Sequence, residues 1–199
     1  MPKQEVQKRG WIFGLMLGAG IAALTASFVL TLDKFEVLKN PDAVLSCTIN
    51  AVLDCSRVMV TWQSSVFGFP NMIIGLMAFS VVITVAVAGL SRMTFARPFL
   101  IAAEICFILG TLFAYWLFFN SVYDIQILCP WCLVVTASAT LMTAALTYFN
   151  LQQNTFKFKK NEAVQRWLKK GYFQMIIAAW LVLLAVLVYL KFGMDLFAA

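Results

Sequence analysis

The residues best equipped for chemistry are Cys129-Pro130-Trp131-Cys132, a CxxC standing where a polar loop ends and a long apolar run begins. Two thiols one helical turn apart at a helix start form a redox pair. The unpaired N–H groups of the first turn and the positive end of the helix dipole favour thiolate, the reactive form. Pro130 suits the first helical position because it has no N–H to lose and its φ is already set. The sulfurs can then close into a disulfide and reopen with little backbone movement. Two other uses stand beside this one. The pair could staple a helix cap, or it could bind a metal, for which a chain without histidine has only its other cysteines as further ligands.

The elements that position this pair follow from composition. Of the 199 residues, 62% are hydrophobic and 12% charged, and the mean hydropathy is strongly positive, which excludes an ordinary soluble domain. A bilayer core of about 30 Å takes roughly twenty helical residues to cross. Five apolar runs meet or approach that length: Trp11–Leu32, Asn71–Leu90, Pro98–Asn120, Cys129–Tyr148 and Tyr172–Leu190. None alternates with a two-residue period, as a membrane barrel would require. The expected fold is all-α, one integral membrane domain over residues 1–199 with five transmembrane helices.

Lysine and arginine set the orientation, because short basic loops stay on the cytoplasmic side. Lys3, Lys8 and Arg9, then Arg92 and Arg97, then Lys157, Lys159, Lys160, Arg166, Lys169 and Lys170 all fall on one side of the five runs; only Lys34, Lys39, Arg57 and Lys191 fall on the other. The amino terminus is therefore expected in the cytoplasm, with the carboxyl terminus and the redox cysteines outside it. The net charge of +6 reflects this asymmetry and requires no nucleic-acid partner. The basic inner loop with Phe156, Phe158 and Trp167 reads as an anchor for anionic lipid.

The first run is too long for a secretory signal, about 22 apolar residues against about 7–15, and no clean cleavage site follows. Within it Gly14, Gly18, Ala22 and Ala26 form a smooth stripe, suited either to close helix approach or to facing lipid. The outer loop, Asp33–Pro70, is long enough to be functional and contains Cys47 and Cys55. After them Val58, Met59, Trp62 and Val66 fall at helical spacing, as in a short amphipathic helix lying on the membrane surface. Cys47, Cys55, Cys129 and Cys132 thus share one side, where conditions are oxidising. Cys106 stands alone in the third run and reads as a small buried hydrophobe. A four-cysteine zinc site is the formal alternative, but seven residues between Cys47 and Cys55 exceed the usual two to four of a zinc knuckle. Glu104 is an acid within a span, about 9 Å in from Pro98 at 1.5 Å per residue. It is expected to snorkel or to pair with Arg97 or Arg92.

The order Cys47-x7-Cys55-Ser56-Arg57-Val58, then Phe67-Gly68-Phe69-Pro70-Asn71, then Cys129-Pro-Trp-Cys132 opening a late span, resembles the vitamin K epoxide reductase family, most closely its bacterial disulfide-forming members. The resemblance covers roughly residues 11–150. It implies a four-helix bundle core around a quinone, with Tyr172–Leu190 as an addition. It also implies thiol:quinone oxidoreductase activity that generates disulfides, with a quinone of menaquinone or ubiquinone type as acceptor. By position, Cys132 matches the cysteine facing the quinone and Cys129 the one attacked from the loop. Cys55 then matches the attacking cysteine and Cys47 the one that exchanges with a partner. Asn71 matches an asparagine that hydrogen-bonds a quinone carbonyl, and Thr61 a hydroxyl residue near the reacting centre. Thr136 stands where the animal enzymes have a tyrosine, a departure that favours quinone over epoxide. Many bacterial members continue into a thioredoxin-like domain; with the chain ending at Ala199, the partner is expected to be a separate extracytoplasmic thioredoxin-fold thiol oxidase.

Three competing readings define what must be distinguished. The other bacterial disulfide-generating quinone reductase has its CxxC in the first outer loop, the reverse of the order here. A non-catalytic membrane protein would hold structural disulfides or zinc in the same loops. A transporter would need polar groups near the midplane of its spans, which are scarce here.

Overall fold

Prolines mark where three of the long helices begin. In the computed structural model, which describes residues 3–40, 45, 47, 48, 50, 52–157 and 161–193, Pro70 immediately precedes α3 (Asn71–Leu90), Pro98 lies in the first turn of α4 (Arg97–Phe119) and Pro130 opens α5 (Pro130–Gln152). At these positions the missing N–H leaves no hydrogen bond unmade. The long helix α1 (Lys3–Lys39) precedes them and α7 (Tyr172–Phe192) follows, with two short helices, α2 (Cys55–Met59) and α6 (Asn161–Lys169), in the connections. Gly171, at φ +77°, takes the left-handed conformation that joins α6 to α7. Helices α1, α3, α4, α5 and α7 are long and apolar enough to cross a bilayer. The chain is an all-helical, multi-pass membrane protein.

Helices α1 and α5 form the centre of the bundle and are the most buried of the five. Phe13 and Met16 of α1 meet Met142, Leu146 and Phe149 of α5, with Ala86 of α3 and Leu100 of α4 closing the same core. Close approach of α1 and α3 depends on glycine. A side chain at Gly89 would strike the Phe13 ring, and one at Gly75 would strike Ser27. Arg9 donates to the carbonyl oxygens of Gly89 and Met93 and lies over the rings of Phe13 and Phe149. Arg97 donates to Thr155 O at the same end. The cysteine pairs occupy the opposite end of the bundle.

Several expectations change. Helix α1 runs on through the start of the supposed loop to Lys39, and α5 runs on to Gln152. Of the two alternatives for the small-residue stripe, Gly14 and Gly18 take the outward-facing one, with open space beside them, and the α1–α3 contact uses other glycines. Cys106 is exposed, among the residues lining the cavity described below, and is not a buried hydrophobe. Glu104 neither snorkels nor pairs with Arg97 or Arg92. It is buried, only 4% exposed, and accepts hydrogen bonds from Asn150 Nδ2 at 2.8 Å and from the Thr147 hydroxyl, because its side chain points into the α4–α5 contact. The proposed amphipathic face is also discontinuous. A turn at Thr61 separates α2 from a short 3-10 segment, Trp62–Ser65; Met59 is buried while Trp62 and Val66 are exposed. In the connection between α5 and α7, Trp167 of α6 meets the Phe173 ring edge-on. The expectations for Phe158, Lys159, Lys160 and both chain ends fall outside the described residues.

Candidate redox site

Two segments distant in sequence are joined at the cysteine end by a single backbone pairing. Leu128 N–H donates to Val52 O at 2.7 Å and Asp54 N–H donates to Leu128 O at 3.0 Å, forming an isolated parallel bridge between Leu53 and Leu128. Just past it on one side is Cys55, the first residue of α2; just past it on the other is Cys129, the N-cap of α5. Both sulfur-bearing residues are almost fully enclosed, and with Cys47, Cys132, Leu30 and Met59 they make one packed cluster. Cys47 and Cys55 are joined in a disulfide with Cα atoms 5.8 Å apart. Cys129 and Cys132 are free thiols.

Asp54 fixes the loop pair. Its Oδ1 accepts from the N–H groups of Ser56 at 2.9 Å and Arg57 at 3.4 Å, capping α2, and from the hydroxyls of Ser56 at 2.6 Å and Thr48 at 3.0 Å. One carboxylate thus ties the residue after Cys47 to the helix that starts at Cys55. Burial pushes this carboxyl up, but the Ser56 and Thr48 hydroxyls and the two backbone N–H groups hold it below the ordinary carboxylate range.

The CxxC pair is held from the other side. A π-helical turn, Asn120–Ile125, continues α4 and ends at Gln126 in the left-handed conformation, and Ser121 ties back to Ile127 O. The helix proper begins at Pro130, with Cys129 just before it. Cys132 N–H donates to Cys129 Sγ at 3.4 Å. The Cys132 thiol beside it and the N–H groups of Cys132 and Trp131 hold the Cys129 thiol below its usual range, against burial and the negative charge of Asp33.

Beneath the sulfurs lies a cavity of about 420 Å³ lined mainly by apolar side chains of α1, α3, α4 and α5. Cys55, Cys129 and Cys132 reach its lining, as do Asn71 and Thr136. Thr136 is buried and donates to Cys132 O at 2.9 Å. Asn71 uses both ends of its amide locally. Nδ2 donates to Gln63 O at 2.6 Å, and Oδ1 accepts from Val66 N–H at 3.1 Å. Thr61 is not among the lining residues; its hydroxyl donates to Val58 O at 2.7 Å, at the end of α2.

Other contributors are not singled out by motif. Gln63 Nε2 donates to Asp124 Oδ2 at 2.9 Å, joining the segment between α2 and α3 to the turn before the CxxC. Asp33 Oδ2 lies 3.6 Å from Cys47 Sγ, a contact only, since a bonded sulfur has no proton to donate. Asp54 did have a sequence signal, an acid immediately before a short helical run; the Gln63–Asp124 pair, 61 residues apart, had none. The Cys47–Cys55 disulfide takes both of those sulfurs out of thiolate form, which a four-cysteine zinc site would need.

The fold and site define a polytopic helical membrane protein with a disulfide and a dithiol meeting above an apolar cavity. The vitamin K epoxide reductase family profile matches residues 14–148, and the chain belongs to that family, which carries membrane redox activity on cysteine pairs. No curated protein sequence gives a significant match. The matched stretch ends within α5, so α6 and α7 lie beyond it.

Proposed function

We propose that this protein is a thiol:quinone oxidoreductase that generates disulfides outside the cytoplasm, with Cys47, Cys55, Cys129 and Cys132 as its relay. A dithiol on a separate thioredoxin-fold protein attacks Cys47, and Cys55 leaves as thiolate. The partner's second thiolate then displaces Cys47, so the partner departs oxidised and the loop pair is reduced. Cys55 thiolate attacks Cys129 of an oxidised Cys129–Cys132 pair and frees Cys132. Attack by Cys47 on Cys55 re-forms the loop disulfide and leaves Cys129 and Cys132 as thiols. This last distribution of bonds is the one in the structure.

Two electrons and two protons must then leave the CxxC pair. The apolar cavity, with Cys132, Thr136 and Asn71 at its polar margin, fits the head of a quinone. When bound, a quinone of menaquinone or ubiquinone type supplies a two-electron, two-proton acceptor. Cys132 is the residue assigned to face it. Thr136, whose hydroxyl donates to Cys132 O in the structure, can turn that proton toward a quinone carbonyl, and Asn71 can turn an amide donor inward once its loop bonds open. Thr61 acts through the end of α2.

The observation that carries the reading is the meeting of Cys55, Cys129 and Cys132 on one apolar cavity. By the lysine and arginine asymmetry, this end of the bundle faces away from the cytoplasm. The test is anaerobic quinone reduction by a reduced thioredoxin-fold protein. Cys132→Ala is expected to abolish it, and turnover persisting in that variant would overturn the assignment.

A further inference from the structure

Helix α7 lies outside the stretch that matches the family, yet it packs on the part of the molecule that brings the two cysteine pairs together. Leu184, Val188 and Phe192 are buried in a cluster with Phe118, Val122 and Leu128, and Val52 and Leu53 pack against the same cluster. These are the residues of the Leu53–Leu128 bridge and its flank. Two backbone hydrogen bonds by themselves hold such a pairing weakly at the end of a bundle, where water competes for them. Apolar side chains covering it exclude that water and fix its register.

A second contact runs from the same helix to α5. Trp180 Nε1 donates to Tyr115 OH at 2.8 Å; Tyr115 OH lies 2.7 Å from Thr140 Oγ1; Thr140 Oγ1 donates to Thr136 O at 2.8 Å. Because each hydroxyl has one proton, the chain has one direction, from Trp180 through Tyr115 and Thr140 to Thr136 O. Thr136 in turn donates to Cys132 O. Helix α7 therefore braces both the bridge beside Cys55 and Cys129 and the stretch of α5 below Cys132.

We infer that α7 is a positioning element for transfer between Cys55 and Cys129, with Phe192 and Val188 holding the Leu53–Leu128 pairing in register. This inference rests on the relay reading above. Phe192 and Val188 are in neither the cysteine cluster nor the cavity lining, so their truncation should slow one step and spare the other.

The experiment separates those steps with Phe192→Ala and the milder Val188→Ala in full-length protein in detergent, checked for monodispersity. Passage of electrons from a reduced Cys47/Cys55 pair to the CxxC pair is timed by quenching and mass spectrometry. Direct reduction of the Cys129–Cys132 disulfide by dithiothreitol, followed by quinone reduction, is timed in a Cys47→Ala/Cys55→Ala background, where the loop pair is bypassed. Phe192→Ala should slow the first at least ~10-fold, since misplacement by an ångström costs that much or more, leave the bypass unchanged, and regain most of the rate as Phe192→Leu. If both rates stay unchanged, or both fall alike, the positioning role is overturned. If the wild type itself passes no electrons from the loop pair to the CxxC pair while the bypass runs, the relay reading fails first.

Discussion

The backbone pairing of Leu53 with Leu128 places Cys55 two residues beyond one partner and Cys129 one residue beyond the other. A loop cysteine and the first cysteine of the CxxC are thereby brought into one packed cluster, although 74 positions separate Cys55 from Cys129 in the numbering. The nearness of these two residues is a property of a short stretch of backbone, and it supports the proposed order of thiol exchange.

That order is open to trapping. With Cys132→Ala, the Cys55–Cys129 mixed disulfide cannot be resolved from the CxxC side and should accumulate under mild oxidation. Peptide mapping should find Cys55 joined to Cys129; Cys47 joined to Cys129 instead would contradict the order.

Asp54 should matter to the loop pair and carry a pH signature. Asp54→Ala removes the cap of α2 and the tie to Thr48, and should destabilise this segment by about 1 kcal/mol or more. The carboxyl is held below its ordinary range, so its contribution is fully present above the unfolded value of about 3.9. It is lost as pH falls through the lower folded value. Reduction of Cys47–Cys55 by a phosphine, which works in acid, should be independent of this group from pH 5 to 8 and speed up below about pH 4. Asp54→Asn should lack that step.

Thr136 and Asn71 should separate in kinetics. Thr136→Val removes a hydroxyl from the cavity wall beside Cys132 and should raise KM for quinone severalfold while leaving the loop intact. Asn71→Ala opens the Gln63–Val66 turn and loosens the Gln63–Asp124 tie, so it should lower kcat with the partner protein as well as affinity for quinone. Equal effects of the two variants on KM alone would argue that Asn71 acts only at the cavity.

Glu104 belongs to the bundle and not to the relay. Glu104→Ala leaves the buried Asn150 amide without its acceptor, a loss of about 1–3 kcal/mol, while the Thr147 hydroxyl keeps Thr143 O at 2.8 Å. Tm in detergent should fall, while thiol exchange in the folded fraction stays at the wild-type rate. A variant with unchanged Tm and slowed quinone reduction would reverse this assignment.

Much of this was legible in the residues. Composition and the prolines at 70, 98 and 130 mark the spans, and the basic residues separate the cysteine end from its opposite. What was illegible depended on contacts across the chain. Hydropathy stops at Leu32, but α1 continues to Lys39 because Asp33, Lys34 and Glu36 are tolerated in a helix whose Val37 still packs on the cysteine cluster. Glu104 looked free to snorkel because its partners, Thr147 and Asn150, come from another helix. Trp62 kept helical spacing with Met59 on paper, but the break at Thr61 turns it outward, toward the Trp116 ring. The Leu53–Leu128 bridge joins two stretches that carry no strand pattern, so nothing local announced it.

The most direct measurement is a free-thiol count by mass spectrometry on fully reduced protein in detergent, before and after a soluble quinone is added without oxygen. Loss of the Cys129 and Cys132 thiols first, then of the Cys47 and Cys55 thiols, with matching quinone reduction, is the predicted result. Survival of all four thiols in folded protein would contradict it.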